Sequence, residues 1–355
     1  MVPPEGALAR AKKAPTLTDV AELAGVSRAT VSRVVNSSKR VEPDVAQRVR
    51  AAIQELGYVP NQAARSLITQ RTDMVALIAG EPNARFFHDL FFEGIARGAA
   101  QELGEVDMRL MMLMIQSSED LDRVQRYLLG RPVDGVLVVS EHGANQIAEQ
   151  VAAAQIPVVL GGRPTDPEHS DLAYVDNENV RGARLAAGVL LERGCRKVAT
   201  ITGPQDMTAG IDRLEGFTAG LGRPLPPECV AVGDFTVAGG VDAMERLLAR
   251  TPDLDRVFAA SDLMALGAMQ VLRREGRRIP AEVAVVGFDD IDLAASSVPP
   301  LTTVRQDPVA QGRMMVRLLL QLLGRTGDLS RAARASLPGA SHVVLPVRLV
   351  RRESA

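Results

Sequence analysis

Tryptophan is missing from this 355-residue chain, and its eight phenylalanines and three tyrosines bring aromatics to only 3%. Any stacking surface therefore rests on a few Phe or Tyr side chains. Cysteine is almost as scarce. Cys195 and Cys229 fit no C-x-x-C ligand pattern, and two thiols in a chain of this size point to a reducing compartment. The four histidines, at 88, 142, 169 and 342, are scattered without metal spacing, so neither a metal nor a cofactor is expected. No apolar run approaches the roughly 18 residues of a membrane span. The N-terminus, with Pro3, Pro4, Lys12 and Lys13, lacks the apolar stretch of a signal peptide. No membrane partner and a cytoplasmic location follow as expectations. Nor is there a phosphate-binding G-x-x-x-x-G-K-[ST] or a G-x-S-x-G elbow, which argues against an enzyme. The tail 331–355 has no leucine heptads, hence no coiled-coil module.

What is present is unevenly placed. Of the 41 Lys and Arg, 11 lie in residues 1–71, whereas only 6 of the 43 Asp and Glu do. A basic module of net +5 thus precedes an acidic remainder of −7, the electrostatic footprint of a nucleic-acid binder. The length itself calls for two or more domains.

Residues 16–36 read TLTDVAELAGVSRATVSRVVN. Thr16 with Asp19 forms a capping-box-like start. Val20, Leu23 and Ala24 then share one face, and Gly25 supplies the left-handed stop. Ser27 caps a second helix whose apolar stripe is Val31, Val34 and Val35. Two short helices joined through Gly25-Val26-Ser27 make a helix-turn-helix. Arg28, Ala29, Ser32 and Arg33 are its exposed positions, with Arg suited to guanine and Ala to a thymine methyl. Thr18, Thr30 and the helix N-termini suit phosphates. A third helix is expected from Pro43 to Leu56, ended by Gly57. Beyond it, Asn61 can cap a short helix of Ala63, Ala64, Arg65, Ser66 and Leu67, which is marginal alone in water.

DVAELAGVSRATVSRVVN followed by AAIQELGYVPNQAARSL resembles the lactose-repressor (LacI-type) family of ligand-responsive transcriptional regulators. The resemblance implies a hinge helix that pairs with its dimer mate in the minor groove, with Leu67 as the wedge at a base step. It also implies Arg28, Ala29 and Arg33 as main base readers. The full DNA-binding set expected is Thr16, Thr18, Ser27, Arg28, Ala29, Thr30, Ser32, Arg33, Asn36, Asn61, Ala64 and Leu67. Glu42 departs from the Ser or Thr that often caps the third helix in the family.

From Asp73 onward short β-branched runs alternate with helical stretches, the mark of parallel α/β units. Strands are expected at 74–79, 108–115, 135–139, 157–161, 172–175, 197–202, 230–235, 256–260 and 283–288. The Met-rich run 108–115 reads as buried core. The pattern repeats after about residue 170, giving two doubly wound parallel-sheet lobes. This body resembles the periplasmic-binding-protein-like core of the same family, which implies crossovers near 173, 302 and 330 and a final strand, 343–350, in the second lobe. The fold expected is therefore an N-terminal all-α helix-turn-helix head with a hinge helix, followed by that α/β body. Its divisions are a disordered arm 1–15, a DNA-binding domain 16–59, a hinge 60–72 and a ligand-binding and dimerisation domain 73–355.

Open α/β sheets bind ligands at the carboxyl ends of their strands, here the cleft between lobes. Asp289 follows VAVVGF, where a carboxylate can accept two hydroxyl donors. By the resemblance, Arg213 is the cleft arginine, Phe235 a stacking aromatic, and Phe86 and Phe87 the cleft-facing pair of the first lobe. Phe258, Ser261 and Asp262 follow another strand end; Asp262 and Asp290 read equally as helix caps. Arg163 and Asp176 are weaker candidates. Gly162 stands where the family often carries an Asp. The effector set expected is Phe86, Phe87, Arg163, Arg213, Phe235, Phe258, Ser261 and Asp289.

The expected partners are double-stranded operator DNA, a small effector of sugar type and a second copy of the chain. Induction and corepression use the same parts and are not separated. A solute-binding protein for a transporter would use the body alone, but would not need the basic head. A metabolic enzyme would need a partner for Asp289 that is not visible.

Overall fold

The computed structural model describes residues 15–35, 41–59, 71–80, 89–143, 147–165, 172–192, 194, 197–337, 339 and 341–355. Most of the expected arm and hinge, and the expected site residues Asn36, Asn61, Ala64, Leu67, Phe86 and Phe87, lie outside these residues. The chain divides into two compact units, Met1–Thr72 and Asp73–Ala355.

Among the described residues, the first unit holds three helices, α1 (Leu17–Ala24), α2 (Arg28–Val35) and α3 (Pro43–Leu56). The capping box forms with Asp in place of Glu: Thr16 N donates to Asp19 Oδ2 at 2.7 Å, and Asp19 N donates back to Thr16 Oγ1. Gly25 ends α1 at φ 63° and Gly57 ends α3 at φ 61°, the left-handed region that glycine enters without a Cβ penalty. Glu42 precedes α3 without a side-chain cap bond, and Pro43 takes the first turn. Val20, Ala21, Ala24, Val31, Val34, Val49, Ala52 and Tyr58 form the core. Leu23, expected on the buried face, is 46% exposed, and Ala21 is buried instead.

The second unit begins with β1 (Met74–Ala79), α4 (Leu90–Gly104), β2 (Arg109–Met114), α5 (Ser118–Leu129), β3 (Gly135–Val139), α6 (Ile147–Ala153), β4 (Val158–Gly161) and β5 (Ala173–Asn177). There follow α7 (Asn179–Glu192), β6 (Val198–Thr202), α8 (Thr208–Leu221), β7 (Val230–Val232), α9 (Val237–Arg250), β8 (Arg256–Ala259), α10 (Asp262–Arg274), β9 (Ala284–Val286) and α11 (Asp292–Ser296). The chain closes with β10 (Thr303–Arg305), α12 (Pro308–Leu322), α13 (Arg331–Ala335), β11 (His342–Leu345) and β12 (Arg348–Val350).

Two parallel sheets define the lobes. The first has the order β11-β5-β4-β3-β1-β2, and the second β7-β6-β8-β9. A two-stranded antiparallel pair, β10-β12, adjoins the second through a Val286–Thr302 bridge. Ser354 pins this edge: its Oγ donates to Val285 O and accepts from Thr302 N.

The lobe boundaries differ from those expected. β5 pairs with β4, so the first crossover follows residue 177 rather than 173. β10 stays with the second lobe, moving the return from about 302 to about 306. The stretch 343–350 is two strands rather than one, because Pro346 lies between them. A proline has no N–H to continue a ladder, and the chain changes sheets there. β11 pairs with β5 in the first lobe, and only β12 reaches the second. The third crossover is thus near 346, not 330. The Met-rich run also differs from expectation. Met108 is buried, but β2 is an edge strand and Met112 is 41% exposed.

In the first lobe, α4 and α12 meet backbone to backbone. A methyl group on Gly98 would overlap the carbonyl oxygen of Val309, and one on Gly312 that of Ile95. Gly312→Ala should therefore lower stability by about 1–3 kcal/mol, the usual range for forcing volume into a filled contact. Urea unfolding would register this; an unchanged midpoint would show that the helices yield freely. Among the described residues, no helix is long and apolar enough to cross a membrane.

Candidate functional site

Two surfaces carry chemistry, one in each unit. Just before α2, Ser27 Oγ caps the helix, accepting from Thr30 N at 3.2 Å, and lies 2.9 Å from Thr30 Oγ1. Val31 and Val34 are buried, whereas Arg28, Ala29 and Arg33 are exposed and Ser32 is half-buried. The exposed residues at 28, 29 and 33 line up because 28 and 29 precede 32 and 33 by one turn. Thr16 and Thr18 are exposed at the start of α1, with Thr16 engaged in its cap. Two guanidiniums, Arg28 in the first turn of α2 and Arg33 in the last, share the exposed side of the helix with the small Ala29 while Val31 and Val34 are buried, an arrangement that can enter a major groove and read base edges.

The second surface is a cleft of about 860 Å³, measured out to its open mouth and bordered by both lobes and the segments that join them. Arg213, on α8, is 5% exposed. Its Nε donates to Asn179 Oδ1 at 2.9 Å, and its Nη1 to Ala260 O at 2.6 Å and Asp289 Oδ1 at 3.3 Å. The guanidinium lies 3.8 Å above the Phe288 ring. Burial pulls its pKa below the ordinary value, opposed by the charge of Asp289, and its four neighbours fix the planar fork in place.

Asp289 sits where the chain leaves β9, at φ 119°, a backbone conformation rare for any residue but glycine. Its N–H donates to Val304 O at 2.7 Å, which holds that turn against the crossover strand. Arg213 Nη1 and, at 2.7 Å, Gln306 Nε2 both donate to its Oδ1. Burial pushes its pKa up to about 7, with Arg213 opposing. Asp176, at the end of β5, accepts from Asn177 N and Asn179 Nδ2, and burial pushes it up to about 6.

Of the expected effector residues, Arg163, Arg213, Phe235, Ser261 and Asp289 line the cleft, as does the weaker candidate Asp176. Phe235 adopts φ 65° and lays its ring where a Cβ on Gly203 would stand. Ser261 lines the cleft but also caps α10, accepting from Met264 N at 3.2 Å. Arg163 donates to both carboxylate oxygens of Asp212, through Nε and Nη2, and its carbonyl accepts from Thr208 Oγ1. It joins the end of β4 to α8 and is committed largely to that bridge. His142 Nδ1 lies 2.8 Å from Asp206 Oδ2, a second link of the same kind.

Phe258, expected in the effector set, does not line the cleft. It is fully buried and stacks on Phe217 with ring centroids 4.7 Å apart. Successive strand side chains alternate faces, and this one points into the core of its lobe. Asp262 and Asp290 are not caps either. Asp262 accepts from Thr303 Oγ1 and Ile291 N, and burial holds its pKa well above the ordinary value. Asp290 holds Arg305 and Arg352.

Other cleft residues escaped the sequence reading: Asp89, Phe91, Glu141, Asn177, Asn179, Gln306 and Gln311. Strand ends signal the first-lobe set only weakly. Gln306 follows β10 and Gln311 lies on α12, in a return segment where no strand was expected. Among the described residues no group of His, Cys, Asp or Glu is placed to hold a metal.

Comparison with known proteins finds relatives of both units. The family model for bacterial regulatory proteins of the lacI family matches residues 16–61, and the model for a periplasmic binding protein-like domain matches residues 187–355. The chain is 44% identical over 346 residues to the HTH-type transcriptional regulator CelR of Thermobifida fusca, covering 97% of this chain and 99% of that one. It is 33% identical over 311 residues to the ribose operon repressor of Escherichia coli (strain K12), covering 86% and 92%. Its structure is similar to that of a CelR–cellobiose complex, with TM-score 0.74 and 43% identity over 96% of this chain and 100% of that one. It also resembles the lac repressor dimer bound to operator and the anti-inducer ONPF, with TM-score 0.81 and 27% identity over 96% and 99%. The chain belongs to the lacI family of bacterial regulatory proteins: it is a helix-turn-helix, DNA-binding transcriptional regulator and not an enzyme.

Proposed function

We propose that this regulator is a cytoplasmic homodimeric repressor of a catabolic or sugar-uptake operon, released from a palindromic operator by an uncharged sugar in its cleft. The observation that carries the sugar reading is the polar lining of that cleft. Among the described residues, Asp89, Glu141, Asp176 and Asp289 face it against Arg163 and Arg213, and both arginines already pair with carboxylates. An anionic ligand would meet surplus negative charge, whereas hydroxyls find a carboxylate acceptor, a rigid guanidinium and the face of Phe235. The CelR–cellobiose complex makes cellobiose the first sugar to try. We assign DNA contacts to Arg28, Ala29 and Arg33 for base edges, and to Thr16, Thr18, Ser27, Thr30 and Ser32 around them.

Release needs only that the sugar favour one lobe arrangement; by linkage, operator DNA then weakens the sugar by the same factor. Calorimetric titration with cellobiose, with and without operator DNA, tests this. Absence of binding, or equal affinity in both titrations, would refute the reading.

The raised pKa of Asp289 gives a pH dependence with a definite sign. With a value of about 7, a large share of this group holds its proton near neutrality, and sugar hydroxyls prefer the carboxylate. Sugar affinity should therefore fall as pH drops from 8 to 6, by up to about tenfold per unit below 7. Binding should expel a proton, visible as a buffer-dependent heat. Stability runs the other way. A carboxyl with a raised folded pKa favours folding at low pH and loses that contribution as pH rises from about 4 to about 7. Asp289→Asn should flatten the affinity profile; a profile of unchanged slope would assign the proton elsewhere.

A further inference from the structure

Two buried acceptors in the cleft have no hydrogen-bond partner among the described residues: Asn177 Oδ1 and Gln306 Oε1. Their residues are 5% and 6% exposed, and both line the cleft. Neither amide is free to turn over. Asn177 Nδ2 donates to Gln311 Oε1 at 2.9 Å, while Gln311 Nε2 donates to Val175 O at 2.9 Å. Gln306 Nε2 donates to Asp289 Oδ1, which also accepts from Arg213. Flipping either amide would set acceptor against acceptor. Native structures keep few buried polar atoms unsatisfied, and those that persist at a site call for a partner from outside.

Their position adds a second point. Asn177 ends β5, where the chain crosses from the first lobe to the second. Gln306 follows β10, where it returns. The two orphan oxygens therefore belong to two of the three crossover segments, and both require donors. A hydroxyl can supply one; a carboxylate or an ionised phosphate cannot.

We propose that Asn177 and Gln306 are specificity-determining residues, each accepting a hydrogen bond from a different ligand hydroxyl, so that the crossovers themselves read the sugar. This rests on the sugar reading above and extends it. A sugar lacking these hydroxyls would still meet Arg213 and Phe235 but would leave both amide oxygens unpaired.

Calorimetry on the full-length protein with cellobiose and its monodeoxy derivatives tests the assignment. In the wild type, removing either of two particular hydroxyls should weaken binding by about tenfold or more. In Gln306→Met one of these losses should disappear, and in Asn177→Leu the other. A purely structural role would lower every affinity together and leave the pattern intact. If either variant does not melt cooperatively, Gln306→Ser and Asn177→Ser take its place. The same deoxy pattern in both variants as in the wild type would overturn this inference while leaving the sugar reading standing. Failure of the wild type to bind cellobiose or any derivative would overturn both.

Discussion

Replacing Asp289 with asparagine should weaken sugar binding by roughly 10²–10⁴-fold. That range corresponds to losing hydrogen bonds from two hydroxyls to a charged acceptor, at about 1.5–3 kcal/mol each. Asparagine is the sharper choice over alanine. It keeps the side-chain volume and is among the residues that best tolerate positive φ, which matters at φ 119°. Arg213 would keep its bonds to Asn179 and Ala260 but lose its carboxylate. Operator binding by the ligand-free variant should stay within about threefold of wild type, since α2 is untouched. Calorimetry and an operator mobility shift decide the matter together. Sugar affinity within about threefold of wild type would remove Asp289 from the site; lost operator binding would mean a misfolded body.

The second large effect belongs to the head. Arg28→Ala and Arg33→Ala should each lower operator affinity about 5–150-fold, the span of one bidentate arginine–guanine contact at about 1–3 kcal/mol. Both side chains are exposed and neither contributes to the core of Val20, Val31, Val34 and Val49, so the melting temperature should hardly move. The discriminating measurement is affinity for operator and for shuffled DNA at fixed salt. A base reader loses mainly operator affinity; a phosphate contact loses both about equally and reduces the salt slope. Equal losses at both positions would remove the base-reading role.

The head was legible almost residue by residue, because its signals are local. A cap, a left-handed glycine and a valine stripe each act within one turn, and all three formed where the residues placed them. Among the described residues of the head, Leu23 went astray, since helical spacing defines a face but not how wide the neighbouring helix covers it. The body was legible at the level of its strands, which are short runs of branched residues. What stayed hidden was which sheet each strand joins. β11 and β12 read as one run, and only Pro346 marks the change of sheet. For the same reason Phe258 looked like a cleft residue. Proximity to a strand end does not reveal which face a side chain takes, and a shift of one residue exchanges core for cleft. Asn177 and Gln306 were invisible for a different reason. An orphan acceptor is defined by what surrounds it, and nothing in a lone Asn or Gln announces that its other end is already occupied.

The glycine seam between α4 and α12 has a consequence for signalling. Similar seams occur in the second lobe, where a methyl on Gly216 would overlap the carbonyl oxygen of Val180 and one on Gly240 that of Met264. Helices that touch through their main chains have no cushion of rotatable side chains with which to absorb a push. Each lobe is in this respect closer to a stiff plate than to a sponge. Work done by a ligand in the cleft has little chance of dissipating as local repacking. On the proposed function, such work would pass to the three crossover segments that join the lobes, so that a small occupant moves a whole lobe.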